Sequence, residues 1–534
     1  MPITVTSTTA PAPAPPAAPP RLRVGKLCIA VQGATPPELI SGAESAIKDS
    51  TFIELRLDYL AKPAAVLPAL QAFLSQHREV TAIATCRRKL AGGNFTGSLN
   101  SEIEVLEKAA EAGCHLVDLA LESAEQTTKP QMAKFRAALQ AANASLLLST
   151  HDFSRTRRAD GLNQLAQSME AYSPDYIKIV TTARCLADNL AVLQMIEDQS
   201  LKAHVIGLAM GEEGIVSRIL SPRAGAAFTF ASASEGVETA PGQLTARALH
   251  DLYRIDQIDQ ATRIFGVAGD PIGHSLSPLM QMTAFRRVNV NAILLPLRVR
   301  TLEDLLTVVR ELPLDGVAVT MPLKQEVLPH LANMDPLTAR IGACNTLRTG
   351  ADGKIYGYNT DVAGIVRPLE KRIRIQGARI LVLGAGGAAR AATFGLVEQG
   401  AEVYVANRTH EKAASLARKA KAHVIGMPAL AKQHFDVIVN TTPCGMTGIK
   451  QPLPLAENEL NAKIVFDLVY SPLETPLLKL AQSRGLTTIS GLEMFAQQGA
   501  RQFEIWTGKP APESEMQHVV ELELRRRAQE PAKG

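Results

Sequence analysis

The run "DYIKIV" at residues 175–180 places a lysine among apolar residues, where a charge is costly unless it is paired, reaches solvent or is lost. Apolar surroundings lower the pKa of an amine, and a neutral amine can attack a ketone to form a Schiff base. His151, in "STHDF", could then remove the proton that the iminium makes acidic. Lys178 and His151 together predict an imine-forming lyase or aldolase, whereas a lone strand lysine more often only reaches solvent.

The stretch "LVLGAGGAAR" at residues 381–390 indicates a second chemistry. Gly384, Gly386 and Ala389 form a G-x-G-x-x-A fingerprint between a predicted strand and a predicted helix, which is the context of a dinucleotide site. The next strand ends in "NRT" at residues 407–409, without the acid that holds an NAD ribose and with an arginine suited to a 2′-phosphate. The pattern predicts NADP rather than NAD as the cofactor.

A lysine and a carboxylate upstream of this fingerprint are candidates for the same second site, and together with the fingerprint they form the second set of chemical residues. Lys324 follows a short predicted strand in "VTMPLKQE", and Asp361 is expected in a turn in "GYNTDVAG". If they face one substrate, the pair could donate and accept the proton that accompanies hydride transfer to a ketone. Each residue alone is more often a surface residue, but the nearby strings "SLSP", "IGACNT" and "NTTPCGM" favour a shared site.

The elements that must position the first set have the pattern of a barrel. Eight apolar runs, which begin near residues 27, 52, 81, 116, 145, 176, 204 and 227, alternate with helix-period stretches. This alternation is typical of an α/β protein of the (β/α)8 TIM barrel type, whose chemistry lies at the C-terminal ends of its strands. A doubly wound open sheet is the main alternative.

In a barrel, charged residues of several strands would meet at one rim. Glu54, Arg56 and Asp58 alternate in "ELRLD" and would share the interior face of the second strand. Arg87 would end the third strand, and His151 would follow the fifth. Ions are costly inside a barrel unless they form a network or hold a ligand, so this convergence favours a catalytic site.

From about residue 262 the pattern changes to a smaller α/β unit that is followed by the dinucleotide fingerprint. We therefore predict five segments: a disordered Pro/Ala-rich tail (1–22), the barrel (23–256), a substrate-binding domain (257–370), a Rossmann NADP-binding domain (371–490) and C-terminal helices that pack back on the substrate-binding domain (491–534).

The composition argues against several classes of function. With 56 Lys and Arg against 52 Asp and Glu, the net charge of +4 gives no footprint for nucleic acid or a membrane surface. The six cysteines form no C-x-x-C pair, so we expect neither a metal cluster nor a disulfide framework. No apolar run spans a membrane, and the N-terminal stretch resembles no targeting peptide. We therefore expect a cytoplasmic protein with small-molecule substrates, and an oligomer stays open.

The strings "ELRLD", "TCR", "STHDF", "YIKIV", "EGIVSR" and "APGQ" resemble, in order and spacing, type I 3-dehydroquinate dehydratase over about residues 25–250. The resemblance implies that Lys178 forms an imine with the C3 ketone of 3-dehydroquinate and that His151 moves the proton during loss of water. It also implies substrate contacts from Glu54, Arg56, Arg87, Arg218, Thr239 and Gln243, with Arg218 as the carboxylate clamp. One departure is Ala91, where the family usually has a glutamate that helps to orient the histidine.

The strings around the second set resemble shikimate dehydrogenase over nearly all of residues 262–525. The resemblance makes Lys324 and Asp361 the catalytic pair. It implies substrate contacts from Ser275, Ser277, Thr320, Asn345, Tyr470 and Gln498. It implies contacts to NADP from Gly384, Ala385, Gly386, Gly387, Ala388, Asn407, Arg408 and Thr409.

Together the two resemblances imply a bifunctional enzyme of the shikimate pathway of aromatic amino acid biosynthesis. It would dehydrate 3-dehydroquinate to 3-dehydroshikimate and then reduce that product to shikimate with NADPH. One alternative is a second unit that acts on quinate or prefers NAD. Another is a degenerate, non-catalytic barrel that only binds or stabilises the dehydrogenase, with Ala91 as a symptom of lost chemistry.

Overall fold

Eight parallel strands, one from each predicted apolar run, form the N-terminal unit of the computed structural model, which describes residues 24–529 except 199, 274, 321 and 450. The strands are β1 (Leu27–Val31), β2 (Phe52–Arg56), β3 (Thr81–Thr85), β4 (Leu116–Ala120), β5 (Ser145–His151), β6 (Tyr176–Thr182), β7 (His204–Met210) and β8 (Thr229–Ser232). The predicted Pro/Ala-rich tail lies outside the described residues.

This sheet curls into a nearly closed barrel. Neighbouring strands pair in sequence order, and β8 returns to pair with β1. Between β7 and β8, the Ala227 amide donates to the Val205 carbonyl at 2.9 Å. The prediction of a TIM barrel is therefore confirmed, and the open-sheet alternative is wrong.

Helices cover the outside of the barrel: α1 (Pro36–Ala46), α2 (Leu67–Gln76), α3 (Leu99–Glu111), α4 (Leu121–Ala124), α5 (Lys129–Ala141), α6 (Ala159–Glu170), α7 (Asp188–Glu197) and α8 (Ile215–Ala224). Helix α3 shows why these segments fold as they do. The Ser98 hydroxyl accepts from the Ser101 amide at its N-terminus, and Val105, Leu106 and Ala109 form the buried face. The helices cover the outer face of the strands, and the inner face is buried in the barrel interior. This burial on both faces explains the continuous apolar runs.

A second sheet of six strands follows, in the order β10-β9-β11-β13-β14-β12. Its strands are β9 (Arg263–Gly269), β10 (Ala292–Arg298), β11 (Leu314–Val319), β12 (Asn333–Met334), β13 (Thr346–Thr349) and β14 (Ile355–Tyr358). Its helices are α9 (Ser277–Arg287), α10 (Leu302–Glu311), α11 (Pro336–Ile341) and α12 (Asp361–Glu370). Strand β13 pairs antiparallel with β11 and β14, so this sheet is mixed.

The third sheet is entirely parallel, in the order β17-β16-β15-β18-β19-β20. Its strands are β15 (Arg379–Leu383), β16 (Glu402–Ala406), β17 (His423–Val424), β18 (Phe435–Asn440), β19 (Ala462–Asp467) and β20 (Thr487–Ile489). Its helices are α13 (Gly387–Glu398), α14 (His410–Ala420) and α15 (Pro476–Ser483). The order reverses between β15 and β18, which is the Rossmann topology and places a nucleotide at the C-terminal ends of these strands.

Two long helices, α16 (Gly491–Thr507) and α17 (Glu513–Gln529), end the described chain and lie against the second sheet and α9. The indole of Trp506 in α16 donates to the Leu347 carbonyl at 2.9 Å, and its ring stacks on Phe265 with centroids 5.0 Å apart. Because α16 also contacts α12, side chains from this helix can reach a site formed by the second sheet.

Candidate active sites

The Lys178 amine lies inside the barrel between two carboxylates. Its Nζ is 3.3 Å from Asp118 Oδ2 and 3.6 Å from Glu54 Oε1, and it lies 4.0 Å from the centre of the Phe230 ring. Only 4% of Lys178 is exposed, so the solvent-reaching alternative is wrong. The expectation of purely apolar surroundings is also wrong, because alternate residues of β2 and β4 bring acids to the barrel interior.

Arg87 connects this cluster to His151. Its Nη2 donates to Asp118 Oδ2 at 2.8 Å, and its Nη1 donates to His151 Nε2 at 3.2 Å. Because a guanidinium has only donors, Nε2 must offer its lone pair and the ring proton lies on Nδ1. Burial, followed by the charges of Arg87, Lys178 and Arg56, lowers the pKa of His151 well below its ordinary value. The structure therefore presents a neutral imidazole that can accept a proton.

Asp118 is held as a carboxylate at the centre of the cluster. Burial alone would raise the pKa of Asp118, but Arg87, Lys178 and the Ser149 hydroxyl together lower it. The same carboxylate thus faces the base-orienting arginine and the amine. It is the nearest carboxylate to the Lys178 amine.

Two of the charged residues of "ELRLD", Glu54 and Arg56, lie on one face of β2. The Thr85 hydroxyl donates to Glu54 Oε1 at 2.7 Å, which fixes the acid that faces the amine. Arg56 forms a buried bidentate pair with Asp58, with donor–acceptor distances of 2.9 and 2.8 Å. Strand β2 ends at Arg56, so Asp58 lies in the following turn rather than in the strand.

No carboxylate occupies the position where the family resemblance implies a glutamate. Ala91 is buried in a short turn, and the following Gly92 has a positive φ of 78°. A Cβ on Gly92 would lie 2.4 Å from Phe153, whose ring stacks on His151 with centroids 6.0 Å apart. Among the described residues, the recorded hydrogen bond to the His151 ring comes from Arg87 instead.

Arg218 and the loop at residues 239–243 form a second group at the same rim. The Arg218 guanidinium is fully buried, its Nη2 donates to the Pro241 carbonyl at 3.2 Å, and its Nε has no hydrogen-bond partner among the described residues. Burial lowers the pKa of Arg218 to about 10, and no described carboxylate pairs with it. Gln243 Oε1 accepts from the Thr239 amide at 2.9 Å and from its hydroxyl at 3.2 Å. A buried, unpaired cation of this kind suits an anionic ligand.

A cavity of about 530 Å³ brings together the predicted residues of the second site. It lies between the second sheet, the loops of the Rossmann unit and α16. The predicted residues that line it are Ser275, Ser277, Thr320, Lys324, Asn345, Asp361, Tyr470 and Gln498. The ring of Tyr470 stacks on Phe495 of α16, with centroids 5.0 Å apart.

Lys324 and Asp361 form a direct pair inside this cavity. Lys324 Nζ donates to Asp361 Oδ2 at 2.7 Å, and Asn345 Nδ2 donates to Asp361 Oδ1 at 2.8 Å. Asn345 Oδ1 in turn accepts from the Thr360 amide at 2.8 Å. The expectation that Asp361 lies in a turn is wrong, because it is the first residue of α12. Asn345 therefore positions the carboxylate, and the carboxylate positions the lysine.

The fingerprint loop after β15 has the shape that a dinucleotide requires. Gly384 has a φ of 118°, and a Cβ there would lie 2.4 Å from Thr441 Oγ1, so this turn admits only glycine. Cβ atoms on Gly386 and Gly387 would meet no atom within 4 Å, which leaves open space at the N-terminus of α13 for a pyrophosphate. The described residues thus fit the predicted cofactor.

The adenosine end of the same groove carries the predicted basic residue. Asn407 Nδ2 donates to the Thr409 carbonyl at 3.0 Å, which shapes the loop after β16. Arg408 between them is exposed and has no ion-pair or hydrogen-bond partner among the described residues. A cation without an internal partner at the end of the second Rossmann strand suits a 2′-phosphate.

Four family models match this chain. The type I 3-dehydroquinase model matches residues 27–260, the shikimate dehydrogenase substrate binding domain 267–347, shikimate / quinate 5-dehydrogenase 368–457, and the shikimate 5′-dehydrogenase C-terminal domain 491–521. The chloroplastic bifunctional 3-dehydroquinate dehydratase/shikimate dehydrogenase of Arabidopsis thaliana is 35% identical over 482 residues, which cover 86% of this chain and 78% of that protein. The chain belongs to the bifunctional 3-dehydroquinate dehydratase/shikimate dehydrogenase family.

Two further proteins are similar to the dehydrogenase half of this chain. The NADP(+)-dependent shikimate dehydrogenase of Methanosarcina acetivorans is 41% identical over 272 residues, which cover 48% of this chain and 97% of that protein. The structure of shikimate 5-dehydrogenase from Thermus thermophilus, in complex with NADP(H) and shikimate, has 35% identity and a TM-score of 0.46. That match covers 50% of this chain and 99% of that one.

In this bifunctional dehydratase/dehydrogenase, the sequence interpretation missed two residues that the structure places in the sites. Asp118 contacts the Lys178 amine, and its signal was an acid inside the apolar run "LVDLAL". Gln502 lines the second cavity, and its buried Oε1 has no partner among the described residues. It lies one helical turn after Gln498, so the spacing on α16 was the available signal. No helix between residues 24 and 529, apart from the undescribed positions, has the length and apolar content to cross a membrane.

Proposed function

We propose that this chain catalyses two consecutive steps of the shikimate pathway, with the barrel dehydrating 3-dehydroquinate and the second unit reducing 3-dehydroshikimate to shikimate with NADPH. The observation that carries the proposal is that one chain holds both the buried Lys178–His151 cluster and the Lys324–Asp361 pair. Membership of the bifunctional family supports it. We propose domain boundaries near residues 256, 370 and 490.

In the barrel, Lys178 is the nucleophile toward the C3 ketone of 3-dehydroquinate. Asp118 and Glu54, at 3.3 and 3.6 Å, hold the amine in place, and the amine attacks the ketone once it has lost its proton. Attack by the amine and loss of the ketone oxygen as water form the imine. The protonated imine withdraws electrons from the neighbouring C–H bond, and the neutral His151 removes that proton. The same imidazolium can return the proton to the departing hydroxyl, which leaves as water, and hydrolysis of the imine by a second water releases the product and the Lys178 amine.

Arg218 binds the substrate carboxylate at the other end of the barrel site. Its guanidinium is buried without an acid, so an incoming carboxylate supplies the missing counter-charge and accepts its unused Nε–H. Arg56, Thr239 and Gln243 provide further polar contacts at the rim. The degenerate-barrel alternative is not favoured, because the barrel keeps the Lys178–His151 cluster despite Ala91 and also holds the unpaired Arg218.

In the second unit, Lys324 donates a proton to the carbonyl oxygen as the ketone is reduced. Asp361 holds the ammonium 2.7 Å away, and Asn345 fixes the carboxylate. NADPH, when bound, supplies the hydride. We assign Gly384, Ala385, Gly386, Gly387 and Ala388 to the pyrophosphate and Asn407, Arg408 and Thr409 to the adenosine end.

Trapping with borohydride tests the barrel chemistry. Reduction in the presence of 3-dehydroquinate is expected to add the mass of a reduced substrate imine to the peptide that contains Lys178. Peptide mapping by mass spectrometry locates the adduct. An active dehydrogenase unit without any adduct on Lys178 would contradict the proposal and support a barrel without chemistry.

Ala91→Glu is expected to move the acid limb of the dehydration pH profile to higher pH. His151 must be neutral to act as a base, and its pKa is lowered by burial and neighbouring cations. The unaltered chain should therefore keep its kcat/KM as pH falls through about 6.5, the ordinary imidazole pKa. A carboxylate at position 91 favours the imidazolium, raises the pKa of His151 and removes the active base at higher pH.

The pH dependence of kcat/KM for 3-dehydroquinate measures this effect. Ala91→Gln is the matched control, because it has the shape of glutamate without its charge and should leave the acid limb in place. An equal displacement in both variants would show that the effect of position 91 is steric and would contradict the electrostatic account.

Arg408→Ala is expected to raise KM for NADPH by about tenfold and to change KM for NADH little, because only NADPH carries the 2′-phosphate. Initial rates of 3-dehydroshikimate reduction with each cofactor measure the difference. Arg418→Ala, an exposed arginine on the neighbouring α14, is the control and should alter neither value. Equal effects of Arg408→Ala on both cofactors would argue against the assigned contact.

A further inference from the structure

Arg298, the last residue of β10, bridges the dehydrogenase unit and the barrel. Its Nε donates to Asp270 Oδ1 at 3.0 Å within its own unit. Its Nη1 contacts the Glu212 carboxylate of the barrel and lies 3.8 Å from Glu213 Oε1. Arg300 joins the same network, with its Nη2 3.0 Å from Glu213 Oε1. Five charged side chains from the two units thus meet at one point.

On the barrel side, the contacted acids belong to a turn that touches the substrate-binding group. The turn begins after Gly211, whose amide donates to the Pro241 carbonyl at 3.1 Å. That carbonyl also accepts from Arg218. A Cβ on Gly242 would lie 2.2 Å from the Gly211 carbonyl oxygen, so the two backbones are in close contact. Displacement of this turn would therefore move the loop that carries Gln243.

On the dehydrogenase side, the contacted acid belongs to the substrate cavity. Asp270 lines the 530 Å³ cavity together with the following Pro271 and Ile272. Ser275, which we assign to the substrate, lines the same cavity a few residues further on. The orientation of Asp270 is fixed by its hydrogen bond with Arg298.

A second contact holds the barrel rim from the dehydrogenase unit. The carboxylate of Asp304, in α10, accepts from the amides of Leu186 and Ala187, both at 2.9 Å. These amides lie directly before α7, which follows the strand that carries Lys178. The backbone that leads into this barrel helix is thus held by a carboxylate of the other unit. Two adjacent loops of the catalytic rim are held in this way.

We propose that Arg298 is a positioning residue for both reactions. Resting on the proposed function, this assignment makes the dehydrogenase unit part of the dehydratase site: Arg298 holds the 212–214 turn, and through it Arg218 and Gln243. The same guanidinium fixes Asp270 at the shikimate cavity. A single exposed ion pair contributes little, but Arg298 contacts three carboxylates in a network in which Glu213 is largely buried.

Steady-state kinetics of the full chain test the proposal. Arg298→Ala is expected to raise KM for 3-dehydroquinate and KM for 3-dehydroshikimate by about fivefold each, with both kcat values within about twofold. Glu212→Ala should raise only KM for 3-dehydroquinate. Arg298→Lys, which keeps the charge, should bring both KM values most of the way back toward those of the unaltered chain. Arg287→Ala breaks the exposed pair with Glu515 and is the control.

Unchanged KM values in Arg298→Ala, with an active unaltered chain, would overturn the positioning role. A fall in both kcat values with a lower Tm and unchanged KM values would show a merely structural role and overturn it as well. If Arg298→Ala does not fold, Arg298→Lys and Glu212→Ala test the proposal. Glu212→Ala must raise KM for 3-dehydroquinate and leave the KM of the second reaction unchanged, and any other result overturns the positioning role. Absence of either activity in the unaltered chain would instead contradict the proposed function.

Discussion

Lys178→Ala is expected to lower the rate of 3-dehydroquinate dehydration by at least about 10⁴-fold, because no imine forms without the amine. The groups that remain nearest to that position, Asp118 and Glu54, are acids and cannot replace a nitrogen nucleophile. Reduction of added 3-dehydroshikimate should stay within about twofold of the unaltered rate, since Lys324 and Asp361 belong to another unit.

Separate assays of the two reactions on the same preparation measure this contrast. Lys108→Ala, which removes an exposed lysine paired with Glu104 on α3, is the matched control and should leave both rates unchanged. Circular dichroism must show a folded Lys178→Ala chain, because removing one member of a buried charge cluster also lowers stability. A folded variant that lost both activities would contradict two independent sites.

Lys324→Ala is expected to produce the opposite pattern, with reduction slowed by about 10²–10⁴-fold and dehydration unaffected. The lysine is the cation that Asp361 holds in the substrate cavity, at 2.7 Å. Without it, the oxygen of the ketone has no positioned proton donor as the hydride arrives. The loss should appear mainly in kcat, because the proton is transferred only as the reaction proceeds.

Initial rates of NADPH oxidation with 3-dehydroshikimate measure the second effect. Lys354→Ala is the control, since that exposed lysine pairs with Asp352 in a surface turn. A Lys324→Ala enzyme that kept its kcat but had a raised KM would show that Lys324 binds the substrate and does not transfer the proton.

Much of this architecture could be predicted because its signals are local. Each of the eight barrel strands comes from one apolar run, and the fingerprint at Gly384 lies between a strand and a helix as predicted. Lys178 could be predicted because it is a charge inside an apolar run. His151 could be predicted because it belongs to the polar residues that follow such a run. The same reasoning applied to "LVDLAL" would have found Asp118.

The remaining features depend on contacts between segments that are distant in sequence. The acids next to the Lys178 amine come from β2 and β4, which are distant in sequence. The residues on either side of Lys178 are apolar, and they therefore gave no sign of these acids. Gln502 enters the second cavity because α16 folds back over α12. Arg298 and Glu212 are 86 residues apart and meet only because the two units are in contact. Local patterns carry no information on such pairings.

A coupled assay that starts from 3-dehydroquinate and NADPH tests the central claim most directly. If both sites operate on this chain, the absorbance of NADPH should fall after a lag during which 3-dehydroshikimate accumulates, and shikimate should form in equal amount. NADPH oxidation that starts with 3-dehydroshikimate but not with 3-dehydroquinate would contradict the claim, because the barrel would then supply no substrate to the dehydrogenase.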